Sequence, residues 1–395
     1  VNYEDALRAL EERQESRVEL GLERVRAHLE RLGRPDRRPA IHVAGTNGKG
    51  SVCAILESVY RASGLKTGFY SSPHLLDPRE RIAIDGKPVS REAFARAMAR
   101  ALEADPDKSL TYFELITAVA FVAFAEAGCE LLILETGLGG RLDATNVIEK
   151  PLACAVSSID FDHMAQLGVT LEAIAGEKGA IFKSGAPAFA PALPLEAYHA
   201  LERCAKDAKT TLTTVEPRRG SLRNDWDNGR QLIGGGPEGS FWLSLMGERQ
   251  PRNVDLCRAI VNALEPQLRV PTEAWKKGLE SVRWPGRFDI RRIGERKLLL
   301  DGAHNPEAAR ALAASWAKSP FSGDKARWII GMLADKDVLG VLAELAPVLS
   351  QVVAVPAPSP RALAVDELAK LVRAAAPQAT VTTAASLDEA LEGWR

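Results

Sequence analysis

Residues 44–51 read AGTNGKGS, and this stretch decides the fold of the 395-residue chain. An apolar run, residues 41–44, precedes it and predicts a buried strand, and residues 51–60 predict a helix. Glycines let backbone N–H groups approach phosphate oxygens, and the beginning of a helix adds positive potential. Lys49 supplies a positive charge, and Ser51 supplies a hydroxyl that can ligate Mg²⁺. The stretch therefore predicts a loop that binds a polyphosphate.

The spacing of this loop differs from the common Walker A form. Three residues rather than five separate Gly45 from Lys49, and Gly50 is inserted before the hydroxyl of Ser51. An ordinary glycine-rich turn between a strand and a helix is the alternative interpretation. The strand before the loop and the helix after it favour the nucleotide site.

Composition narrows the class of protein. Hydrophobic residues make up 46% and charged residues 26%, which is typical of a globular protein, and the length suggests two domains. The formal net charge of −1 gives no electrostatic reason to expect nucleic acid or an anionic membrane as a partner. The five cysteines lack a CxxC pair, and no signal peptide or membrane-length apolar run is visible, so we expect a cytoplasmic protein.

Strand patterns recur along the chain with helical stretches between them. They cover residues 131–134, 152–156, 298–300, 328–330 and 352–355. Continuous apolar strands that alternate with helices indicate a parallel sheet covered on both faces. Ser90 is the predicted N-cap of one helix, with a hydrophobic staple over it. The predicted fold class is therefore α/β.

Polar residues follow three of these strands: Glu135, Asp160, His163 and Asp301. Open α/β sheets bind ligands at the edge where their strands end. Each residue alone could be a loop residue of no consequence. Four of them at the same edge as a phosphate loop favour a functional site.

Domain organisation follows from shifts in composition. Residues 210–247 are rich in Gly, Arg, Asp and Asn, which suggests peripheral antiparallel strands or loop. Residues 283–288, RWPGRF, combine Pro and Gly before a new series of strands and helices. We expect a P-loop-containing parallel-sheet domain over residues 1–285 and a smaller Rossmann-like α/β domain over residues 286–395.

Three further motifs carry chemistry. Residues 134–146 read LETGLGGRLDATN, in which a carboxylate at a strand end precedes a flexible turn and could hold a metal against a phosphate. Residues 160–163, DFDH, are followed by EKGAIFK at residues 177–183. Residues 301–306 read DGAHNP, with the proline well placed to begin a helix.

Together and in this order, the motifs closely resemble those of the folylpolyglutamate synthase and dihydrofolate synthase family of Mur-type ATP-dependent amide ligases. The most specific stretches are the phosphate loop, SSPHL at residues 71–75, LTYFE at residues 110–114, residues 135–146 and residues 301–306. The chain departs from the family pattern at Gly179, which precedes Ala180 rather than following it, and at Arg249, where relatives have histidine. Relatives commonly add a last strand after residue 395, and Val1 stands in place of methionine, so we expect trimmed ends.

The resemblance implies site residues. Those implied in catalysis are Lys49, His163, Lys178, Asp301 and His304. ATP contacts are implied for Thr46, Asn47, Gly48, Lys49, Gly50, Ser51, Asn253, Arg287 and Asp301. Mg²⁺ ligands are implied at Ser51, Ser72, Glu135 and His163. Pterin contacts are implied for Thr111, Tyr112, Phe113, Glu114, Leu142, Asp143 and Ala144.

The resemblance also implies that Lys178 carries an N-carbamate. A lysine cation beside Mg²⁺ would repel the metal, whereas a carbamate supplies two anionic oxygens that can ligate or orient it. The alternative is an ordinary solvated lysine on a helix.

The implied reaction joins L-glutamate to the carboxylate of dihydropteroate or of a folate. The carboxylate attacks the γ-phosphoryl group of ATP, and the glutamate amine then displaces phosphate from the acyl phosphate. We expect one monomeric chain to carry both activities, with small molecules as its partners. Another Mur-type ligase, or a P-loop switch without ligase activity, remains the alternative.

Overall fold

The computed structural model describes residues 2–13, 19, 21–217, 220–236, 239–322 and 326–392. The prediction of trimmed ends concerns residues 1 and 393–395, which lie outside this set. The chain divides into two compact units. The first comprises Val1–Gly220, Ile233–Ser244 and Pro251–Trp284, and the second comprises Ser221–Leu232, Leu245–Gln250 and Pro285–Arg395.

The helices and strands alternate through most of the chain. The strands are β1 (Ala40–Ala44), β2 (Thr67–Tyr70), β3 (Ile82–Ile84), β4 (Lys87–Pro88), β5 (Leu131–Glu135), β6 (Ala153–Val156), β7 (Ala188–Pro191), β8 (Leu212–Val215), β9 (Ser221–Asp225), β10 (Arg230–Gly236), β11 (Gly239–Leu243), β12 (Asp289–Ile293), β13 (Arg296–Leu300), β14 (Arg327–Ile330), β15 (Gln351–Ala354) and β16 (Thr380–Thr383). The helices are α1 (Tyr3–Glu11), α2 (Glu23–Arg31), α3 (Lys49–Ala62), α4 (Arg91–Glu103), α5 (Tyr112–Ala127), α6 (Met164–Leu167), α7 (Leu171–Gly179), α8 (Leu195–Asp207), α9 (Gln250–Leu264), α10 (Thr272–Ser281), α11 (Pro306–Ala317), α12 (Val338–Leu345), α13 (Val365–Ala375) and α14 (Leu387–Ala390).

The first unit is built on an eight-stranded sheet in the order β4-β3-β2-β5-β1-β6-β7-β8. The six strands from β2 to β8 in this order are parallel, and β3 and β4 continue the sheet antiparallel. All five residues of the central strand β1 are buried, as expected for a strand covered on both faces. The expected α/β fold is confirmed, and the phosphate loop follows the strand at the centre of the sheet.

Two expectations about strands fail. Residues 212–215 were expected to be peripheral antiparallel strand or loop, but β8 is the last parallel strand of the main sheet. Residues 298–300 were expected in a parallel sheet, but they belong to β13, which pairs antiparallel with β12. The chain reverses at Gly294, whose φ of +60° suits a tight hairpin turn, and so brings Arg296 opposite Ile293.

The second unit contains this hairpin and a parallel sheet in the order β14-β15-β16. Its core packs α11, α12 and α13 against β15, with Leu342, Val352 and Leu368 fully or almost fully buried. Throughout the described ranges, no helix is both long enough and apolar enough to span a membrane.

Candidate active site

The phosphate loop connects β1 to α3 through two glycines whose backbone requires them. Gly45 has a φ of +150°, and a Cβ there would lie 2.1 Å from the Oγ atom of Ser157. Gly48 caps α3 with a φ of +84°. Other residues strongly disfavour such conformations, so both positions need glycine. The sequence pattern therefore reflects a real constraint on the backbone.

The loop is tied to the segment that follows β6. The backbone N–H of Thr46 donates to the carbonyl oxygen of Ser158 at 2.8 Å, and that of Asn47 donates to the Ser158 hydroxyl at 2.8 Å. The Ser157 hydroxyl donates to the Asn47 carbonyl at 2.7 Å, and the N–H of Asp160 donates to the Thr46 hydroxyl at 3.1 Å. Sequence reasoning missed Ser157 and Ser158, although two hydroxyls just after a central strand were a visible signal.

Two lysine amines meet at one carbonyl oxygen of this loop. Lys49 donates to the Gly45 carbonyl at 2.9 Å and to that of Thr46 at 3.1 Å, and Lys178 from α7 donates to the Gly45 carbonyl at 3.0 Å. Lys178 is only 4% exposed. Burial, and then repulsion from Lys49, lower the pKa of Lys178 to about 7. Lys178 is thus a buried amine that is partly neutral at pH 7, and the solvated alternative is excluded.

Close packing holds α7 in place around Lys178. A Cβ on Gly140 would lie 2.7 Å from the carbonyl oxygen of Glu177, and the N–H of Arg141 donates to that oxygen at 2.9 Å. A Cβ on Gly179 would lie 2.9 Å from the Sγ atom of Cys204 on α8. The departure from the family pattern at Gly179 therefore coincides with a close approach of two helices.

The predicted metal ligands differ in how far they are buried. Glu135, at the end of β5, is 4% exposed and accepts a hydrogen bond from the N–H of Ser72 at 3.3 Å, and Ser51 lies buried in the first turn of α3. One carboxylate and two serine hydroxyls are hard oxygen donors, which suit Mg²⁺. His163 is more exposed, with a φ of +50°, and its Nε2 atom lies 3.9 Å from Asp162.

Among the described residues, no three His, Cys, Asp or Glu side chains are grouped so that they could hold a metal ion. The predicted set contains only two residues of these types, Glu135 and His163, because its other members are serines. A Mg²⁺ ion in this set would complete its shell with nucleotide oxygens and water, which is usual for this metal.

The predicted pterin residues at the start of α5 form a helix cap. The Thr111 hydroxyl accepts from the N–H of Glu114 at 3.3 Å, and the Glu114 carboxylate accepts from the N–H of Thr111 at 2.8 Å. Arg24 donates to the same carboxylate at 3.0 Å. Two aromatic residues lie between Thr111 and Glu114. The ring centroid of Tyr112 is 5.3 Å from the Arg81 guanidinium. The Phe113 ring packs on the turn after β5, where a Cβ on Gly137 would be 2.4 Å from it.

The second predicted pterin segment is anchored by Asp143. This carboxylate is buried and accepts hydrogen bonds from the N–H groups of Gly137 and Leu138 at 2.8 and 2.9 Å. It also accepts from Thr145, whose hydroxyl lies 2.7 Å from the Nε2 atom of His42. Burial lowers the pKa of His42 to about 3, so the ring is neutral. Asp143 therefore shapes the turn after Glu135, and its neighbours Leu142 and Ala144 are half-buried and buried.

Asn253 is the predicted nucleotide residue that the structure brings to the phosphate loop. It lies in α9, is 5% exposed, and its Oδ1 atom would be 3.2 Å from a Cβ on Gly48. Gly48 therefore permits a close approach between the loop and α9.

In the second unit, the predicted residues Asp301 and His304 lie in the loop after β13, and Arg287 lies in the segment before β12. Asp301 accepts hydrogen bonds from the N–H groups of Phe288 and Ala303, both at 2.8 Å. Arg287 packs against Gly302, where a Cβ would lie 2.8 Å from its Nη1 atom, and His304 is exposed with its Nδ1 atom 2.8 Å from the Gly302 carbonyl. The loop ends at the N-cap of α11.

The unusual Arg249 lies in this unit as well. It forms an ion pair with Glu307 in the first turn of α11. Arg249, which stands where the family pattern has histidine, is therefore paired with the carboxylate of Glu307.

Family models match two parts of the chain. The Mur ligase middle domain matches residues 43–193, and the Mur ligase glutamate ligase domain matches residues 286–394.

Similar proteins carry consistent names. The chain is 35% identical over 382 residues to a dihydrofolate synthase/folylpolyglutamate synthase of Mycobacterium tuberculosis, covering 90% of this chain and 78% of that protein. It is 35% identical over 332 residues to a probable dihydrofolate synthetase of Schizosaccharomyces pombe, covering 82% and 79%.

Solved structures share the fold over nearly the whole chain. Mycobacterium tuberculosis folylpolyglutamate synthase complexed with ADP and AMPPCP aligns with a TM-score of 0.88 and 33% identity, covering 99% of this chain and 91% of that one. A bifunctional folylpolyglutamate synthase/dihydrofolate synthase with Mn, AMPPNP and L-glutamate bound aligns with a TM-score of 0.82 and 32% identity, covering 100% and 91%.

Proposed function

This chain belongs to the folylpolyglutamate synthase and dihydrofolate synthase family of Mur ligases, and we propose that it carries both activities of that family. It is an ATP-dependent acid–amino-acid ligase that adds L-glutamate to a pterin-containing carboxylate through an acyl phosphate. The proposed acceptors are dihydropteroate and tetrahydrofolates. Both present the same kind of carboxylate to the same γ-phosphate, and they differ in how far the pterin lies from it.

The pair of amines on the Gly45 carbonyl is the observation that supports the ATP-dependent step of this proposal. Both sit at the beginning of α3, where backbone N–H groups and the helix dipole favour a polyphosphate. When ATP binds, the Lys49 amine gives up its hydrogen bonds to the Gly45 and Thr46 carbonyl oxygens and bonds phosphate oxygens instead. Its positive charge then offsets the charge that develops on the transferring phosphoryl group. The step needs positioning and charge compensation rather than a protein nucleophile.

ATP and a divalent metal are the cofactors of this family, and Mg²⁺ is the proposed metal here. A bound Mg²⁺ neutralises phosphate charge during transfer. Glu135 and the hydroxyls of Ser51 and Ser72 would hold it, with His163 as a further proposed ligand. Glu135 is buried at the end of β5 and accepts from the N–H of Ser72, which supports a role for its carboxylate beside a second proposed oxygen ligand.

Lys178 is the proposed site of the carbamate. Only a neutral amine attacks CO₂, forming an N–C bond and releasing one proton to water, and a pKa of about 7 supplies that neutral form. The resulting anion removes the repulsion between two cations at one carbonyl oxygen. It also offers oxygens with which to orient the metal shell.

The pterin is proposed to contact the segments from Thr111 to Glu114 and from Leu142 to Ala144. Tyr112 and Phe113 offer aromatic faces, while Thr111, Glu114 and Asp143 hold the backbone through the bonds described above. Aromatic stacking suits a flat heterocycle. The second pterin position that a bifunctional enzyme needs is proposed to lie elsewhere in the first unit.

The remaining assignments are also proposals. Residues 1–285 would form the ATP- and pterin-binding domain, and residues 286–395 the glutamate ligase domain. Arg287, Asp301 and His304 would contact the nucleotide, together with Asn253. We propose a monomeric, cytoplasmic enzyme.

The test supplies purified protein with ATP, Mg²⁺, L-glutamate and either dihydropteroate or a tetrahydrofolate, and follows product mass and phosphate release. Both acceptors should gain one glutamate with one phosphate released per bond. Product from the folate alone would leave a monofunctional polyglutamate synthase. Product from neither, with ATP hydrolysis retained, would contradict the ligase function and favour a P-loop switch.

A further inference from the structure

Trp284 is the last residue of the first unit, and it lies against the phosphate loop. A Cβ built on Gly50 would be 2.6 Å from the indole Cζ2 atom and 2.7 Å from the Cε2 and Nε1 atoms. Atoms never approach this closely without displacement, so the indole rests directly on the Cα atom of Gly50. Gly50 is the residue inserted between Lys49 and the hydroxyl of Ser51.

Gly50 has no conformational need to be glycine. It lies inside α3 with an ordinary helical backbone rather than a positive φ. Alanine is a better helix former than glycine, so local structure alone favours alanine at this position. The close approach of Trp284 is the observation that accounts for glycine here.

The segment before Trp284 holds the same helix at its other end. A Cβ on Gly278 of α10 would lie 2.5 Å from the Cα atom of Val59, and the Ser58 hydroxyl donates to the Gly278 carbonyl at 2.8 Å. Val59 lies nine residues after Gly50, or about 14 Å along the helix at 1.5 Å per residue. The segment from α10 to Trp284 therefore contacts α3 at two places: at Val59, near its third turn, and at Gly50, in its first turn.

Trp284 makes packing contacts: the edge of the indole ring, its Nε1 atom included, lies against Gly50. Phe69 of β2 packs on the indole with ring centroids 5.3 Å apart. The Nε1 atom is buried and has no hydrogen-bond partner among the described residues. A ring without a donor should therefore replace it.

We propose that Trp284 is a positioning residue for ATP binding, which acts by pressing on Gly50 and so fixes Lys49 and Ser51 on either side of it. The modified phosphate loop and Trp284 pack together, and the inserted Gly50 leaves room for the indole ring. The inference rests on the proposed function only in that ATP is the nucleotide bound.

The test measures the Kd for a nonhydrolysable ATP analogue with Mg²⁺ in Trp284→Phe, Trp284→Ala, Gly50→Ala and the double variant Gly50→Ala/Trp284→Ala. Trp284→Phe should bind within about threefold of the wild type, and Trp284→Ala about tenfold or more weakly, because small displacements of binding groups are costly. Gly50→Ala should also bind weakly, since its methyl group meets the ring. The double variant should bind more tightly than Gly50→Ala alone, because the methyl group then fills the space left by the ring.

Trp275 provides the matched control. It lies on α10 in the same unit and is buried, and its Nε1 atom also has no hydrogen-bond partner in the part of the chain that the structure describes, but it packs against Arg258. Trp275→Phe should retain the wild-type Kd. Thermal melting establishes that each variant is folded, and Trp284→Leu replaces Trp284→Ala if the latter does not fold.

Three outcomes would overturn the proposal: a wild-type Kd in folded Trp284→Ala, an equal loss in Trp284→Phe, or additive losses in the double variant. Because the readout is nucleotide binding, these outcomes are distinct from a failure of the ligase assay. A chain that binds ATP but joins no glutamate would contradict the proposed function and leave this inference standing.

Discussion

Lys49 and Lys178, which are 129 residues apart in sequence, donate hydrogen bonds to the same backbone oxygen, the carbonyl of Gly45, at 2.9 and 3.0 Å. Two ammonium groups on one acceptor repel each other, and one of them is almost fully buried. The pKa of Lys178 falls to about 7 as a result of burial and of this repulsion. One lysine can thus remain a cation for phosphate, while the other is available as a neutral amine.

Replacing Lys49 with alanine should remove most of the ligase turnover and leave the fold intact. The ammonium acts where charge develops, and losing one such group typically costs on the order of 10²–10³ in rate. Phosphate release under saturating substrates measures kcat, and thermal melting measures the fold. Lys206→Ala, an exposed lysine on α8, should match the wild type. A folded Lys49→Ala enzyme with wild-type kcat would contradict the phosphate-loop assignment.

Glu135→Gln and His163→Ala should shift the Mg²⁺ dependence of the reaction rather than the affinity for folate. Each substitution removes one proposed metal ligand, so half-maximal activity should require more Mg²⁺. The measurement is a Mg²⁺ titration of phosphate release with a parallel KM for folate. Glu103→Gln and His199→Ala are exposed controls. If a variant keeps the wild-type Mg²⁺ titration, the residue that it replaces has a structural role and is not a metal ligand.

The free energy of unfolding should rise with pH between about 7 and 10.5 because of Lys178. In this window the folded state has lost the Lys178 proton while the unfolded state, with an ordinary lysine pKa of 10.5, keeps it. The unfolded state binds more protons, so stability increases with pH by up to about 1.4 kcal/mol per pH unit, and below pH 7 the full cost of the buried charge is present.

Lys178→Met should lose this contribution, which denaturant unfolding in CO₂-free buffer would measure as a difference from the wild type. Lys206→Met should keep the wild-type slope. Lys49→Ala should shift the lower limit of this pH window to a higher pH, because it removes the positive charge that lowers the pKa of Lys178. Equal slopes in the wild type and Lys178→Met would show that Lys178 titrates as an ordinary lysine.

Lys178→Ala should be nearly inactive and should recover in part when formate or acetate is added. A short carboxylate can occupy the place of the proposed carbamate and supply its anionic oxygens. Activity with and without each anion is the measurement, and chloride at equal ionic strength is the control. An unmodified Lys178 found by mass analysis of fully active protein would count directly against the carbamate.

Local sequence was sufficient for the elements around the phosphate loop. The apolar run before it forms the fully buried β1, and the helix after it forms α3. Ser90 caps α4 as predicted, accepting from the N–H of Ala93, with Val89 and Phe94 buried beside it. These features depend on residues within a few positions of one another, so the pattern contains all that is needed to specify them.

Pairing between distant segments could not be obtained in this way. The strand before Asp301 has the same apolar composition as a parallel strand, but the turn at Gly294 makes it one half of a hairpin. Likewise, residues 212–215 sit among polar residues yet complete the parallel sheet beside β7. Strand composition reports burial, whereas the partner and direction of a strand depend on the path of the whole chain.

The sequence by itself determined the phosphate loop, the order of the motifs and the α/β class, because each depends on residue types at short spacing. Only the tertiary structure decided how the loop is held: by Ser157 and Ser158 after β6, by the shared Gly45 acceptor, and by Trp284 on Gly50. These contacts join residues between about 110 and 230 positions apart, which nothing in local propensity connects. The serine contacts arise because the parallel sheet brings the ends of β1 and β6 to one edge, and the contacts of Lys178 and Trp284 arise because α7 and the segment after α10 pack beside that edge.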